Sequence, residues 1–199
     1  GRLLIGQANG SVATPEIVLN RPVWTISSGP AAAAPVALHL GETFGTANVI
    51  SADMGGTSFD VLLVVDGEAQ VSTDEWVGPY RMAVPIVKVR SIGAGGGSIA
   101  WLDPSGVLQV GPKSAQAVPG PACYGKGGES PTVTDADLLL GYLNPHNFLG
   151  GERTLDVKKA TAAIEGKVGR ALGLSARQAA AGIVRVAVHS SAEAIRREC

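Results

Sequence analysis

The sequence predicts a mixed α/β chain with a β-rich front half and C-terminal helices. Three observations lead there. β-branched and apolar runs bounded by turn residues dominate before residue 134, and helical spacing with recognisable caps governs residues 135–199. Strands and helices do not alternate strictly, which argues against repeated βαβ units. The 199 residues are read as a single partial domain, with a β-rich part over about 1–134 and a helical part over about 135–199.

Residues 2–28 read as irregular chain with short strands. Ala31–Leu40 reads as a helix with Pro30 in its first turn and Ser28 near the cap. Ala47–Ser51 leads into a strand, a glycine turn follows, and Phe59–Val65 is a β-branched apolar strand. Asp66-Gly67 is a hairpin-turn signal with Glu68–Ser72 as the return strand. Residues 84–92 alternate well enough for another strand. Ile99–Asp103 and Gly106–Val110 form a hairpin across Pro104-Ser105. Asp135–Leu143 suits a helix, and Asp156–Leu172 suits a second that stops at Gly173. Ser175 and Gln178 make a capping box for a last helix reaching about Arg197.

Composition narrows the function. Apolar residues form 45% and charged residues 17% of the chain, enough for a packed core and unlike a disordered segment. A net charge of −1 gives no electrostatic reason to expect nucleic acid or an anionic membrane as partner. No apolar run approaches the roughly 20 residues that span a bilayer. The start, Gly1–Gly6, lacks the parts of a signal peptide, and two distant cysteines make no disulfide framework, so a cytoplasmic location is expected. The absence of a starting Met and the stop directly after a helical run suggest an internal piece of something longer.

The sharpest motif is Asp53-Met54-Gly55-Gly56-Thr57-Ser58-Phe59-Asp60, set between two strands. Adjacent glycines permit positive φ and let N–H groups crowd together with no Cβ in the way. Such a row of N–H groups makes a concavity for phosphate oxygens. Thr57 adds a hydroxyl, and Asp53 stands where a hydrated Mg²⁺ would be held. No Gly-x-x-x-x-Gly-Lys-Ser/Thr loop is present, which excludes P-loop chemistry. The plainer alternative is an ordinary Gly-Gly hairpin turn, against which Asp53, Thr57 and Asp60 weigh.

The Asp53–Asp60 stretch resembles a phosphate loop of the actin/hexokinase/heat-shock-chaperone ATPase superfamily. Five further stretches narrow the resemblance to the hydantoinase A/5-oxoprolinase family: Leu3–Gly10, Ser28–Ala31, Ser91–Ile99, Pro119–Gly125 and Pro131–Ala136. The resemblance implies part of an actin-like, ribonuclease-H-like ATPase fold. It implies ATP and Mg²⁺ as cofactors and activation of a cyclic amide carbonyl by phosphoryl transfer. Asp53 would hold Mg²⁺ as the catalytic residue. Gly55 and Gly56 would bind phosphate through N–H and Thr57 through its hydroxyl, with Asp60 fixing the loop and Gly95 and Gly96 lining the cleft. The relatives also include acetone and acetophenone carboxylases, so a subunit of a ketone carboxylase is the second reading, and an interaction or scaffold segment of a larger complex is the third. The family's earlier Asp-x-Gly-Gly-Thr loop and later adenosine element are not in this chain. A second subunit or domain is therefore expected as partner, and the chain alone is expected to be inactive.

Weaker features carry alternatives. Gly93–Ser98 is followed by a strand, so a dinucleotide fingerprint fails on context. It is either a tight loop against another backbone or the cleft lining named above. Cys123, Asp135, Asp137 and His146 fit no common zinc spacing, and a buried thiol with Asp135 capping a helix is the competing reading. Trp24, Trp76 and Trp101 are expected in the core or an interface, with no basic patch to make them stacking platforms.

Overall fold

The computed structural model describes all residues, Gly1–Cys199. It is mixed α/β, β-rich in front and helical behind, as the sequence predicts. It divides into two compact units. The first comprises Gly1–Asp53, Asp60–Ser91 and Glu198–Cys199, and the second comprises Met54–Phe59 and Ile92–Arg197. The change of character at residue 134 falls inside the second.

In the first unit, strands β1 (Ile5–Gly6) and β2 (Val12–Ala13) pair antiparallel. Helix α1 (Pro15–Asn20) follows, where irregular chain was expected; Pro15 starts it at a position whose N–H needs no partner. The expected helix at Ala31–Leu40 is two helices, α2 (Ser28–Ala31) and α3 (Ala33–Phe44). Pro35 accounts for the break. It has no N–H for the Ala31 carbonyl, and its ring crowds that carbonyl. Helix α3 runs four residues past Leu40 to the left-handed cap at Gly45. Its buried face is small: Ala34, Ala37 and Gly41. With Ala31 it packs on Leu62, Val64 and Val87.

The central strands are β3 (Val49–Met54) and β4 (Phe59–Val65), the latter with the bounds expected. Positive φ at both Asp66 and Gly67 makes the two-residue turn after β4, which matches strand twist. The return strand is split. β5 (Glu68–Ala69) pairs with β4, while β6 (Val71–Ser72) leaves to pair with a later strand. Next come the isolated hairpin β7 (Glu75–Val77) and β8 (Tyr80–Met82), then β9 (Ile86–Val87), the partner of β6, and β10 (Arg90–Ile92). The single strand expected over 84–92 is thus two, serving different sheets. The order β10-β4-β3, with β5 on β4, makes a four-stranded sheet. Trp76 on the isolated hairpin is 66% exposed, outside any core.

The second unit opens on the hairpin of β11 (Ser98–Leu102) and β12 (Leu108–Ser114). Its turn is drawn in by the Asp103 carboxylate, which accepts the Ser105 and Val107 N–H groups. These bonds hold the Asp103 carboxyl below its usual range. Trp101 donates its indole N–H to the Gly111 carbonyl at 2.7 Å and is otherwise part-exposed.

Helix α4 (Val133–Leu140) starts at the Thr132 cap rather than at Asp135. Asp135 is the third helical residue and closes a reciprocal box with Thr132. It is fully buried, and its carboxylate accepts four hydrogen bonds, from Ala122 N–H, Cys123 N–H, Thr132 N–H and the Thr132 hydroxyl. One charge thereby ties the Gly/Pro-rich segment to the helix start. Asp156 caps α5 (Val157–Ile164), a π-helical stretch Glu165–Gly169 continues it, and α6 (Arg170–Leu172) ends at the left-handed Gly173. Ser175 and Gln178 cap α7 (Ala176–Glu198) as expected. Ala100, Ala136, Ile164, Val168, Ala180 and Ile183 bring β11, α4, α5 and α7 into one core.

Asp135 generates the first prediction. An amide at that position can accept at only one of its two end atoms, so donors are left buried and unmet. Asp135→Asn should cost about 3 kcal/mol of stability. Urea unfolding should show a lowered midpoint with unchanged slope; a loss below about 1 kcal/mol would show that the carboxylate is not the tie.

Candidate functional site

The Asp53–Asp60 motif lies where the sequence puts it, from the end of β3 to the start of β4. Asp53 is exposed on β3, and Asp60 is half-buried in β4, where it is engaged in an interaction of its own. The turn between them closes when Gly55 N–H donates to the Ser58 carbonyl at 2.9 Å. Neither Gly55 nor Gly56 takes a positive φ, contrary to the expectation. What these glycines contribute is the missing Cβ. A Cβ on Gly56 would meet nothing within 4 Å, and one on Gly55 would meet only the Ser58 carbonyl oxygen, at 3.7 Å. Nothing within the molecule requires either to be glycine.

The turn is held by the Gly93–Ser98 loop. Gly96 N–H donates to the Gly55 carbonyl at 2.9 Å, and Gly97 N–H donates to the Gly56 carbonyl at 2.6 Å. A trans peptide points its N–H opposite to its carbonyl. Fixing these two carbonyls toward the glycine loop therefore turns the N–H groups of Gly56 and Thr57 away from it. Neither N–H has an acceptor in the molecule. The result is a pair of preset, adjacent donors beside the Thr57 hydroxyl, the kind of concavity that receives an anion.

The glycine loop itself is needed for close approach. A Cβ on Gly95 would stand 2.6 Å from Thr57 N and 2.7 Å from the Gly55 carbonyl oxygen. One on Gly97 would stand 2.7 Å from the Gly56 carbonyl oxygen. Gly95 is buried and Gly96 half-buried, and both face the Gly55–Thr57 backbone. The loop is anchored in turn by α4: Thr134 donates to the Gly96 carbonyl through its N–H and its hydroxyl, both at 2.8 Å. Ser98 Oγ accepts from Gly95 N–H at 2.9 Å. Sequence reading missed Thr134 and Ser98, although both lie inside motifs it singled out.

The second cluster separates. Cys123 is fully buried and His146 is exposed. Asp135 is occupied by its four donors, and no three His, Cys, Asp or Glu residues stand together as a metal-holding group. Burial, with the Asp135 carboxylate beside it, pushes the Cys123 thiol well above its ordinary range. Burial likewise raises the Asp137 carboxyl. His39 and His189 are both exposed on helices.

The hydantoinase/oxoprolinase family model matches residues 1–198. The alpha subunit of caprolactamase from Pseudomonas jessenii is 49% identical over 191 residues, which is 96% of this chain and 27% of that protein. The acetophenone carboxylase gamma subunit of Aromatoleum aromaticum is 43% identical over 180 residues, 87% of this chain and 24% of that protein. The crystal structure of the ATP-dependent caprolactamase from Pseudomonas jessenii superimposes with a TM-score of 0.83 at 49% identity, covering 96% of this chain and 28% of that one. This chain thus spans about a quarter of the length of the relatives it matches.

Two predictions follow from the geometry of this region. Gly95→Ala drives a methyl into the Thr57 backbone and should lower the unfolding midpoint clearly, whereas Gly56→Ala should leave it within about 0.5 kcal/mol of the parent; equal effects on thermal unfolding would contradict the division of roles. Because the Cys123 thiol is raised, it stays protonated at neutral pH and through pH 9. Iodoacetamide should label the exposed Cys199 alone over that range. Mass-spectrometric detection of native Cys123 labelling would overturn this.

Proposed function

This chain belongs to the hydantoinase/oxoprolinase family, and from that premise we propose that it carries a phosphate loop of an ATP-dependent cyclic amide hydrolase. The observation that supports the reading is the turn at Gly55–Thr57. Its two carbonyls are held from one side, its two N–H groups are directed to the other, and the space over Gly56 is open. A phosphate group is accepted there by residues that have no other use for their donors. Asp53, two residues before Gly55 in the chain, has an exposed carboxylate, which suits a hydrated Mg²⁺ that keeps most of its waters. Asp60, half-buried at the start of β4, would fix the loop. Gly95 and Gly96 would serve the nucleotide indirectly, by holding from behind the Gly55–Thr57 turn that faces it.

ATP would supply the phosphoryl group that activates a substrate carbonyl oxygen, and Mg²⁺ would neutralise charge on the phosphates. This chain's own part is binding and alignment, which is most of what phosphoryl transfer asks of a protein. The Gly56 and Thr57 N–H groups orient the phosphate, and the Thr57 hydroxyl adds a third donor. A cyclic amide is favoured as substrate class by the caprolactamase, which is the more similar of the two relatives over the greater share of this chain. The ketone carboxylase reading rests on the acetophenone carboxylase subunit. Bicarbonate-dependent ATP consumption with a ketone would decide for it. Both relatives are named as subunits, which supports a partner subunit for the full-length protein.

Asp53→Asn in the full-length enzyme should lower kcat by about 10²-fold or more, the scale expected when a metal clamp is lost. The unfolding midpoint should not move, because Asp53 is exposed. Steady-state kinetics with lactam and ATP make the measurement, and turnover close to the parent's would refute the role.

A further inference from the structure

The hydroxyl of Thr57 has one partner in the molecule, and it lies far away in sequence. Ser114 Oγ is 3.3 Å from Thr57 Oγ1, and either could donate. Ser114 ends β12, opposite Ser98 in the hairpin register. Its position is tightly set. Ala115 N–H donates to the Gly97 carbonyl at 2.8 Å, and a Cβ on Gly97 would come within 3.0 Å of Ser114 Oγ. Just beyond, Gln116 takes a left-handed backbone with φ of 57°, uncommon for a residue with a side chain. Its N–H donates to Ser114 Oγ at 3.0 Å.

The hydrogens can be counted. A serine hydroxyl has one proton and two lone pairs. Gln116 N–H uses one lone pair. If Ser114 donates to Thr57, its proton is used as well, and the Thr57 proton is left for an external acceptor. If Thr57 donates to Ser114, the Thr57 proton is spent inside the molecule and the Ser114 proton has no acceptor there. A phosphate oxygen only accepts, so the first arrangement alone lets Thr57 bind it. Hydrogen bonds in such a chain also polarise one another, which strengthens the outer donation.

We propose that Ser114 is a positioning residue that acts through Thr57: it donates to Thr57 Oγ1 and directs the Thr57 proton toward a nucleotide phosphate. This rests on the phosphate-loop reading above. It adds to the site a residue from β12 that does not itself touch the phosphate. Ser114 is half-buried and its Oγ is already occupied by Gln116 N–H on one side.

A double-mutant cycle in the full-length protein tests it, with Mg-ATP affinity by calorimetry and KM for ATP against kcat. Thr57→Val should weaken Mg-ATP about tenfold, and Ser114→Ala about fivefold, on the scale of one hydrogen bond to a charged group. In the Thr57→Val background, Ser114→Ala should have less than about a twofold effect, because its route is gone. Ser114→Thr keeps the hydroxyl and should restore affinity. Ser114→Cys, close in shape but a weak donor, should behave like Ser114→Ala. Additive losses in the cycle, or a Ser114→Cys variant with parental affinity, would overturn the proposal while leaving the phosphate loop standing. Parental affinity in Thr57→Val would show that the hydroxyl makes no phosphate contact and would overturn the proposal as well, the Gly56 and Thr57 N–H donors of the loop reading being untouched by that change.

Discussion

Two stretches of backbone meet in this protein with no side chain between them, and the candidate site depends on that contact. Gly95, Gly96 and Gly97 lie against Gly55, Gly56 and Thr57 closely enough that added Cβ atoms would fall 2.6–2.7 Å from backbone atoms at two of the three glycines. The contact is made of two hydrogen bonds, both from glycine-loop N–H groups to carbonyls of the turn. Because each peptide is planar, holding the carbonyls also aims the N–H groups behind them. The turn does not find its donor geometry when an anion arrives. It is held in that geometry beforehand, and prior ordering is what makes a donor array effective in phosphoryl transfer.

The ordering reaches back through the second unit. Thr134 grips the Gly96 carbonyl with two donors, and Thr134 sits in the first turn of α4. That turn is fixed by the Thr132–Asp135 box, and Asp135 also gathers the Ala122 and Cys123 N–H groups. A buried carboxylate with four donors stabilises only if every donor stays in place, since an unpaired one inside costs more than the bond is worth. From Asp135 to Gly56 the links are mostly backbone bonds and short hydroxyl bridges, with few rotatable side chains to dissipate the order.

Much of this was legible in the sequence where the cause is local. The bounds of β4, the Asp66-Gly67 turn, the Gly173 stop and the Ser175–Gln178 box each depend on residues close together in the chain. So did the place of the Asp53–Asp60 motif. Pro35 was as local as any of these: at the fifth position of the expected helix Ala31–Leu40 it removes an i→i−4 bond, so the break could be read from the sequence. The rest was out of reach for a physical reason. Whether Glu68–Ser72 stays with β4 or divides between β4 and β9 is settled by pairing across 16 residues, Val71 to Val87. Asp135 reads as a helix cap until the Ala122–Cys123 segment is folded onto it. Ser114 carries no signal at all, since its partner Thr57 lies 57 residues away.

The glycines show why spacing alone could not sort the candidate residues. Gly55, Gly56, Gly95 and Gly96 look alike as letters, and all four were grouped as nucleotide-binding. In the fold they divide by what a Cβ would meet. At Gly95 it would strike Thr57 and at Gly96 the Thr134 hydroxyl, so glycine there answers to the protein's own packing. At Gly56 it would project into open space. A glycine that neither bends the chain through positive φ nor yields to a neighbour costs conformational entropy on folding with no return inside the molecule. The proposed phosphate would supply that return, since a group seated on the Gly56 and Thr57 N–H donors would come where a methyl would stand.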